Sequence, residues 1–205
     1  MGKKKQIVAA ATKLFINEGF SAVSMDRVAQ IANVSKATLY AHFSGKQALF
    51  TACLDQYKQD NEIHYPQLPA LIPGTKPELY ETVQSYLKRA YYFYSDEAVV
   101  QMYRLLVSEI KQFPELFGVF FDNEPSYGTS NLSQFLCDYA KQEQLQIGDC
   151  YFLASQLLDL VRGATIWAML VQNPVKLRLL NKPEFIMARI DTSAIILMNY
   201  YLYEE

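Results

Sequence analysis

The stretch VSKATLYAHFSGKQALF, Val34 to Phe50, sets hydroxyls, two lysines, a histidine and aromatic rings in one short window of a slightly acidic chain. Ser35 stands where an N-cap should, ahead of a helix reaching about Ala41, and Ser44 can cap a longer helix from near Gly45 to about Ile63. Leu39 and Phe43, four residues apart, share one helical face and point to a core. Upstream, Ser24 is another N-cap candidate. Val28, Ile31 and Ala32 repeat on one face after it, and Asn33 tolerates the left-handed conformation of a tight turn. Before them, Ile7, Ala10, Ala11, Leu14 and Phe15 recur at helical spacing until NEGF, where Gly19 suits a left-handed C-terminal cap. The second and third helices, joined by a turn of about three residues, match a helix-turn-helix, in which the second helix enters the major groove.

The side chains fit that task. Ser24 and Lys46 sit at helix N-termini, where backbone N–H groups and the dipole favour a phosphate oxygen. Lys36, Thr38, Tyr40 and His42 lie on or just past the third helix, with hydroxyl and ammonium groups suited to DNA backbone or base edges. Charge is distributed to match: residues 1–46 carry seven Lys and Arg against two acids, and the rest carries twelve against nineteen. A basic segment on an acidic body is the electrostatic footprint of a nucleic-acid reader joined to something else.

On LFINEGF, SMDRVAQIANVSKATLYAHFSGKQALF and the spacing between them, the chain resembles the tetracycline-repressor (TetR/AcrR) family of bacterial regulators from Lys5 to about Cys53. The resemblance implies that Ser24, Tyr40, His42 and Lys46 contact phosphates and that Ser35, Lys36, Ala37 and Thr38 lie nearest the bases. Ser24 stands where the family often has Thr, and Asn33 where it often has Gly; each keeps the needed hydroxyl or turn. The stretch RLLVSEIKQFPELFGVFFDN, Arg104 to Asn123, is similar to the AefR-type C-terminal domain. The family implies a homodimeric repressor of a palindromic operator on double-stranded DNA, released by a small-molecule effector. Repression comes from the family and from no residue.

Tyr65 to Pro77 contains four prolines and a glycine, so no helix is expected to cross it. Beyond it, helical patterns run over 79–94, 97–111, a short stretch from Pro114, 130–144, 150–172 capped by Asp149, and from Pro183 to about Tyr203. The expectation is an all-α protein, with an N-terminal helix-turn-helix domain over 1–50 and a larger helical ligand-binding and dimerisation domain over 51–205. Two apolar stripes suggest a two-fold interface made by the last two long helices, carried by Leu157, Leu160, Ala164 and Ala168 and by Ile190, Ala194, Leu197 and Tyr201. Such a dimer would present two reading helices to half-sites one turn, roughly 34 to 36 Å, apart. The ring-rich helices between them offer candidate pocket residues: Tyr91, Phe93, Tyr94, Tyr103, Arg104, Phe117, Gln156 and Trp167.

Other classes find little support. His42 and His64 lack paired ligand spacing, there is no Cys-x-x-Cys and no glycine-rich phosphate loop, so neither metal nor cofactor is expected and catalysis has no site. Cys53, Cys137 and Cys150, odd in number and far apart, read as reduced core thiols of a cytoplasmic protein. No apolar run reaches the roughly 18 to 20 residues of a membrane span. The remaining alternative is an architectural or protein-binding helical module without a ligand, whose DNA binding would be sequence-blind or absent.

Overall fold

A computed structural model of the chain describes residues 2–62, 65–111, 113–114, 127–146, 148–172, 182–197 and 199. His64, Phe117 and Tyr201 lie outside these residues, as does the side chain of Ala164. The described helices, numbered in chain order, are α1 (Lys3–Glu18), α2 (Met25–Ile31), α3 (Lys36–His42), α4 (Lys46–Glu62), α5 (Lys76–Tyr94), α6 (Glu97–Glu109), α7 (Tyr127–Gln142), α8 (Cys150–Leu170) and α9 (Pro183–Ile196). The architecture is all-helical among the described residues, and none of these helices is long and apolar enough to cross a membrane.

The chain forms two compact bodies, one of residues 1–64 and 101–124, the other of 65–100 and 125–205. This division differs from a cut at residue 50. Leu49, Phe50, Cys53 and Leu54 of α4 pack with Ile7, Ala11, Leu14 and Phe15 of α1, and Met102, Leu105 and Leu106 of α6 complete the same core. At its centre Phe20 meets Phe15, Phe50 and Phe113 at ring distances of 5.5, 4.8 and 4.7 Å. Tilted and edge-to-face ring contacts of this kind add to the free energy of burial itself. Gly19 ends α1 with φ +84° and ψ 156°, a positive φ as expected but an extended ψ, so the chain turns away instead of making a left-handed helical cap.

In the second body α8 packs on α7, α5 and α9, and α5 also packs on α9. Its core holds Leu79, Val83, Leu87, Leu136, Leu153 and Leu157. α5 begins inside the proline segment, three residues earlier than the apolar pattern indicates. Thr75 Oγ1 accepts from the Glu78 N–H at 3.3 Å while Glu78 returns a bond to the Thr75 N–H at 3.1 Å, and Pro77 occupies the first turn, where its missing donor costs nothing.

The expectation of three reduced thiols is corrected for two of them: Cys137 on α7 and Cys150 at the start of α8 are joined by a disulfide, with Cα atoms 5.9 Å apart. Residues distant in sequence meet because the short connection after α7 folds α8 back on it. Cys53 is free and buried, and desolvation pushes its thiol up to about 11. Thiol titration at pH 8 should therefore detect almost nothing in the native unreduced chain, one thiol after unfolding, and three after unfolding with reductant.

Candidate nucleic-acid interface

α2 and α3 are seven residues each. Helices this short do not persist on backbone hydrogen bonds alone, since isolated helices below about 12 residues are marginal. Caps and burial hold them here. Ser24 Oγ accepts from the Arg27 N–H at 3.2 Å, and Ser35 Oγ accepts from the Thr38 N–H at 3.0 Å. Between the helices Asn33 takes φ +50°, its N–H donates to Gln30 O at 3.2 Å, and the Val34 N–H reaches Ala29 O at 3.0 Å. Only a residue that tolerates the left-handed region makes this turn without strain.

Leu39 is fully buried and Phe43 nearly so, which fixes the rotation of α3 about its axis. The consequence is that Ser35, Lys36, Ala37, Tyr40 and His42 face solvent, with Thr38 half-buried beside Ser35, their hydroxyl oxygens 2.8 Å apart. Tyr40 is 52% exposed, high for a ring of its size. Lys36 Nζ donates to Asp26 Oδ2 at 2.6 Å, linking the two helices across their exposed side. Exposed pairs of this kind contribute at most about 1 kcal/mol, so Lys36 can readily exchange its partner.

Lys46 opens α4 and is held differently. Its Nζ donates to Ser21 O at 3.0 Å and lies 4.6 Å from the centroid of the Phe20 ring. Partial burial lowers its pKa, an effect that the nearby Glu109 charge opposes. Ser24 is exposed at the start of α2, so all eight candidates from Ser24 to Lys46 belong to the first body.

Seven of the eight candidate pocket residues are among those described. Tyr91 and Tyr94 are in the core of the second body with Phe93 packed against it, Tyr103 and Arg104 belong to the first body, and Gln156 and Trp167 are exposed. Tyr65 and Tyr86 were not among the candidate pocket residues. The Tyr86 hydroxyl donates to the Tyr65 hydroxyl at 3.4 Å, and the Tyr65 ring lies 4.8 Å from Phe93 and 5.9 Å from Tyr94. Burial drives both phenol pKa values upward. A tyrosine beside a proline carries no local sign of such burial.

Of the candidate dimer residues, Leu157, Ala168, Ile190, Ala194 and Leu197 are buried within the chain, and Leu160 is 45% exposed. The large apolar groups left on the surface of α8 and α9 include Phe152, Trp167, Phe185 and Ile195 instead.

Two family models match the chain: bacterial regulatory proteins, tetR family, over residues 7–53, and AefR-like transcriptional repressor, C-terminal domain, over 81–191. The chain belongs to the TetR family. Membership in a family of DNA-binding regulators sets an enzymatic reading aside. A curated relative is the HTH-type transcriptional regulator YhgD of Bacillus subtilis, 44% identical over 72 residues, which are 33% of this chain and 38% of that protein. Another is the HTH-type transcriptional activator FasR of Mycolicibacterium smegmatis, 40% identical over 55 residues, 27% of this chain and 25% of that protein. The chain thus spans well under half the length of these curated relatives. Among solved structures, the Flavonoid-responsive Regulator FrrA aligns over 96% of this chain and 95% of its own at TM-score 0.78 and 29% identity.

The helix-turn-helix should respond to its cap and its core anchor separately. Ser35→Ala is expected to lower unfolding free energy by about 1 kcal/mol and Leu39→Ala by about 2 to 5 kcal/mol, both read from urea unfolding curves.

Proposed function

We propose that the chain is a homodimeric transcriptional repressor, released from a palindromic operator in double-stranded DNA by a small, largely apolar ligand. The observation that carries this reading is the rotation of α3, which buries Leu39 and Phe43 and turns Lys36, Ala37, Tyr40 and His42 outward beside the Ser35 cap. In it Ser24, Tyr40, His42 and Lys46 hold phosphates, and Ser35, Lys36, Ala37 and Thr38 meet base edges. Residues 1–50 read the DNA, while 51–205 bind the effector and the second subunit. The protein works in the cytoplasm, beside the DNA it reads. Repression is supported by the AefR-like repressor model; FasR, an activator by name, is a reminder that the sign of regulation does not reside in the helix-turn-helix.

Dimerisation through α8 and α9 is supported by their exposed apolar groups: Phe152, Leu160 and Trp167 are 58%, 45% and 67% exposed, and Phe185 and Ile195 are 40% and 47%. Trp167 at two-thirds exposure is costly in water and inexpensive in an interface. Leu157, Ile190 and Ala194 then support that face from beneath, and Leu160 touches the partner. An aromatic effector is supported by the Tyr65, Tyr86 and Phe93 cluster and by the name of FrrA, a regulator responsive to flavonoids. Ligand binding favoured by mis-spaced reading helices weakens DNA binding by the same factor.

Selection of bound sequences from a random DNA library, at salt that suppresses non-specific binding, tests the reading; a palindrome is expected, and an unenriched pool from folded protein rejects it. On the selected site, Tyr40→Ala and Lys46→Ala should weaken specific and random DNA alike, whereas Thr38→Ala should alter sequence preference in a repeat of the selection. Trp167→Glu with Leu160→Glu should shift the chain from dimer to monomer in sedimentation velocity, with far-UV helix content unchanged.

A further inference from the structure

We propose that Glu109, at the end of α6, is a positioning residue of the DNA-facing surface and acts through Lys46. This rests on the DNA-binding reading above and adds to it a residue that lies far from the helix-turn-helix in sequence. Among the described residues Glu109 is the one acid found buried, at 8% exposure. A carboxylate removed from water costs several kcal/mol unless other groups satisfy it, so its surroundings indicate its use.

Ser21 and the backbone of Gly19 lie against it. The Ser21 N–H donates to Oε1 at 3.3 Å, and the Ser21 hydroxyl donates to Oε2 at 2.9 Å. A Cβ on Gly19 would come within 3.3 Å of Oε1, so the turn from Gly19 to Ser21 is laid directly on the carboxylate and needs a residue without a side chain. That turn presents two groups to Lys46, the Ser21 carbonyl that accepts from its Nζ and the Phe20 ring beneath it. Phe113, four residues beyond Glu109, packs edge-to-face on Phe20. The acid therefore fixes the platform on which the ammonium rests, and its charge opposes the lowering of the ammonium's pKa by partial burial.

A neutral side chain of equal shape could still hydrogen-bond to Ser21 but would remove the charge that acts on Lys46. Glu109→Gln is expected to lower affinity for specific and random duplex alike by about threefold to tenfold, and to reduce the slope of log K against log salt by about one, as Lys46→Met does. In the double variant the two losses should fail to add, because both remove the same phosphate contact. Ser21→Ala makes the same test from an exposed position, keeping the acid and its charge but removing the hydroxyl that donates to Oε2. It should cost about threefold in affinity, and nothing once Lys46 is Met. Full additivity in either cycle, or a Glu109→Gln protein with wild-type affinity and salt slope, overturns the proposal while leaving the DNA-binding reading intact. A wild-type chain that binds no DNA overturns both.

Discussion

Burial of Leu39 and Phe43 is the constraint on which the rest of the first body depends. A seven-residue helix has one hydrogen-bonded turn beyond its costly nucleus, so α3 has no preferred rotation until an apolar pair is withdrawn from water. Once Leu39 and Phe43 enter the core shared with Val28, Phe15 and Leu49, every other side chain on α3 has its direction assigned. The Ser35 cap and the Asn33 turn then determine where that helix starts. Both operate locally, which lets the surface-bearing helix be rigid while its exposed residues stay free of packing duties.

The same local character explains what could be read without coordinates. Ser24 and Ser35 are caps because their hydroxyls lie three residues before the N–H they accept from, and Asn33 is a turn residue because of its own backbone tolerance. These signals need no tertiary partner. The rotation of α8 and α9 did need one. Leu157 and Leu160 are both apolar and three apart, so either could face inward, and only packing against α5 and α7 buries the first and leaves the second in solvent. Pairing of Cys137 with Cys150 is non-local in the same sense. Glu109 and Tyr65 gave no signal at all, since an acid near a helix end and a tyrosine before a proline are ordinarily exposed.

The two bodies also treat buried polarity differently, and the difference bears on the proposed ligand. In the first, a buried carboxylate is satisfied by Ser21, and its charge acts on Lys46 at the surface. In the second, the polar atoms within the ring cluster are phenol hydroxyls, and burial makes the ionised form of Tyr65 and Tyr86 still less favourable. Neutral hydroxyls cost less to enclose than charges do, and they can donate to one another. Tyr86 donates to Tyr65, and Tyr94 is close enough to join them.

A hydrocarbon entering such a cluster would separate hydroxyls without replacing their bonds, leaving buried donors unpaired at about 1 to 3 kcal/mol each. A planar ring system carrying its own hydroxyl or carbonyl oxygens meets the same surfaces and restores the lost hydrogen bonds. Arg162 lies 4.9 Å from the centroid of the Tyr94 ring and pairs with the exposed Asp159 at 2.9 Å. Were the proposed effector to bind at these rings, their chemistry would favour an oxygen-bearing aromatic molecule over an alkane. That preference arises from the neutrality and burial of the tyrosines and is independent of any relative's name.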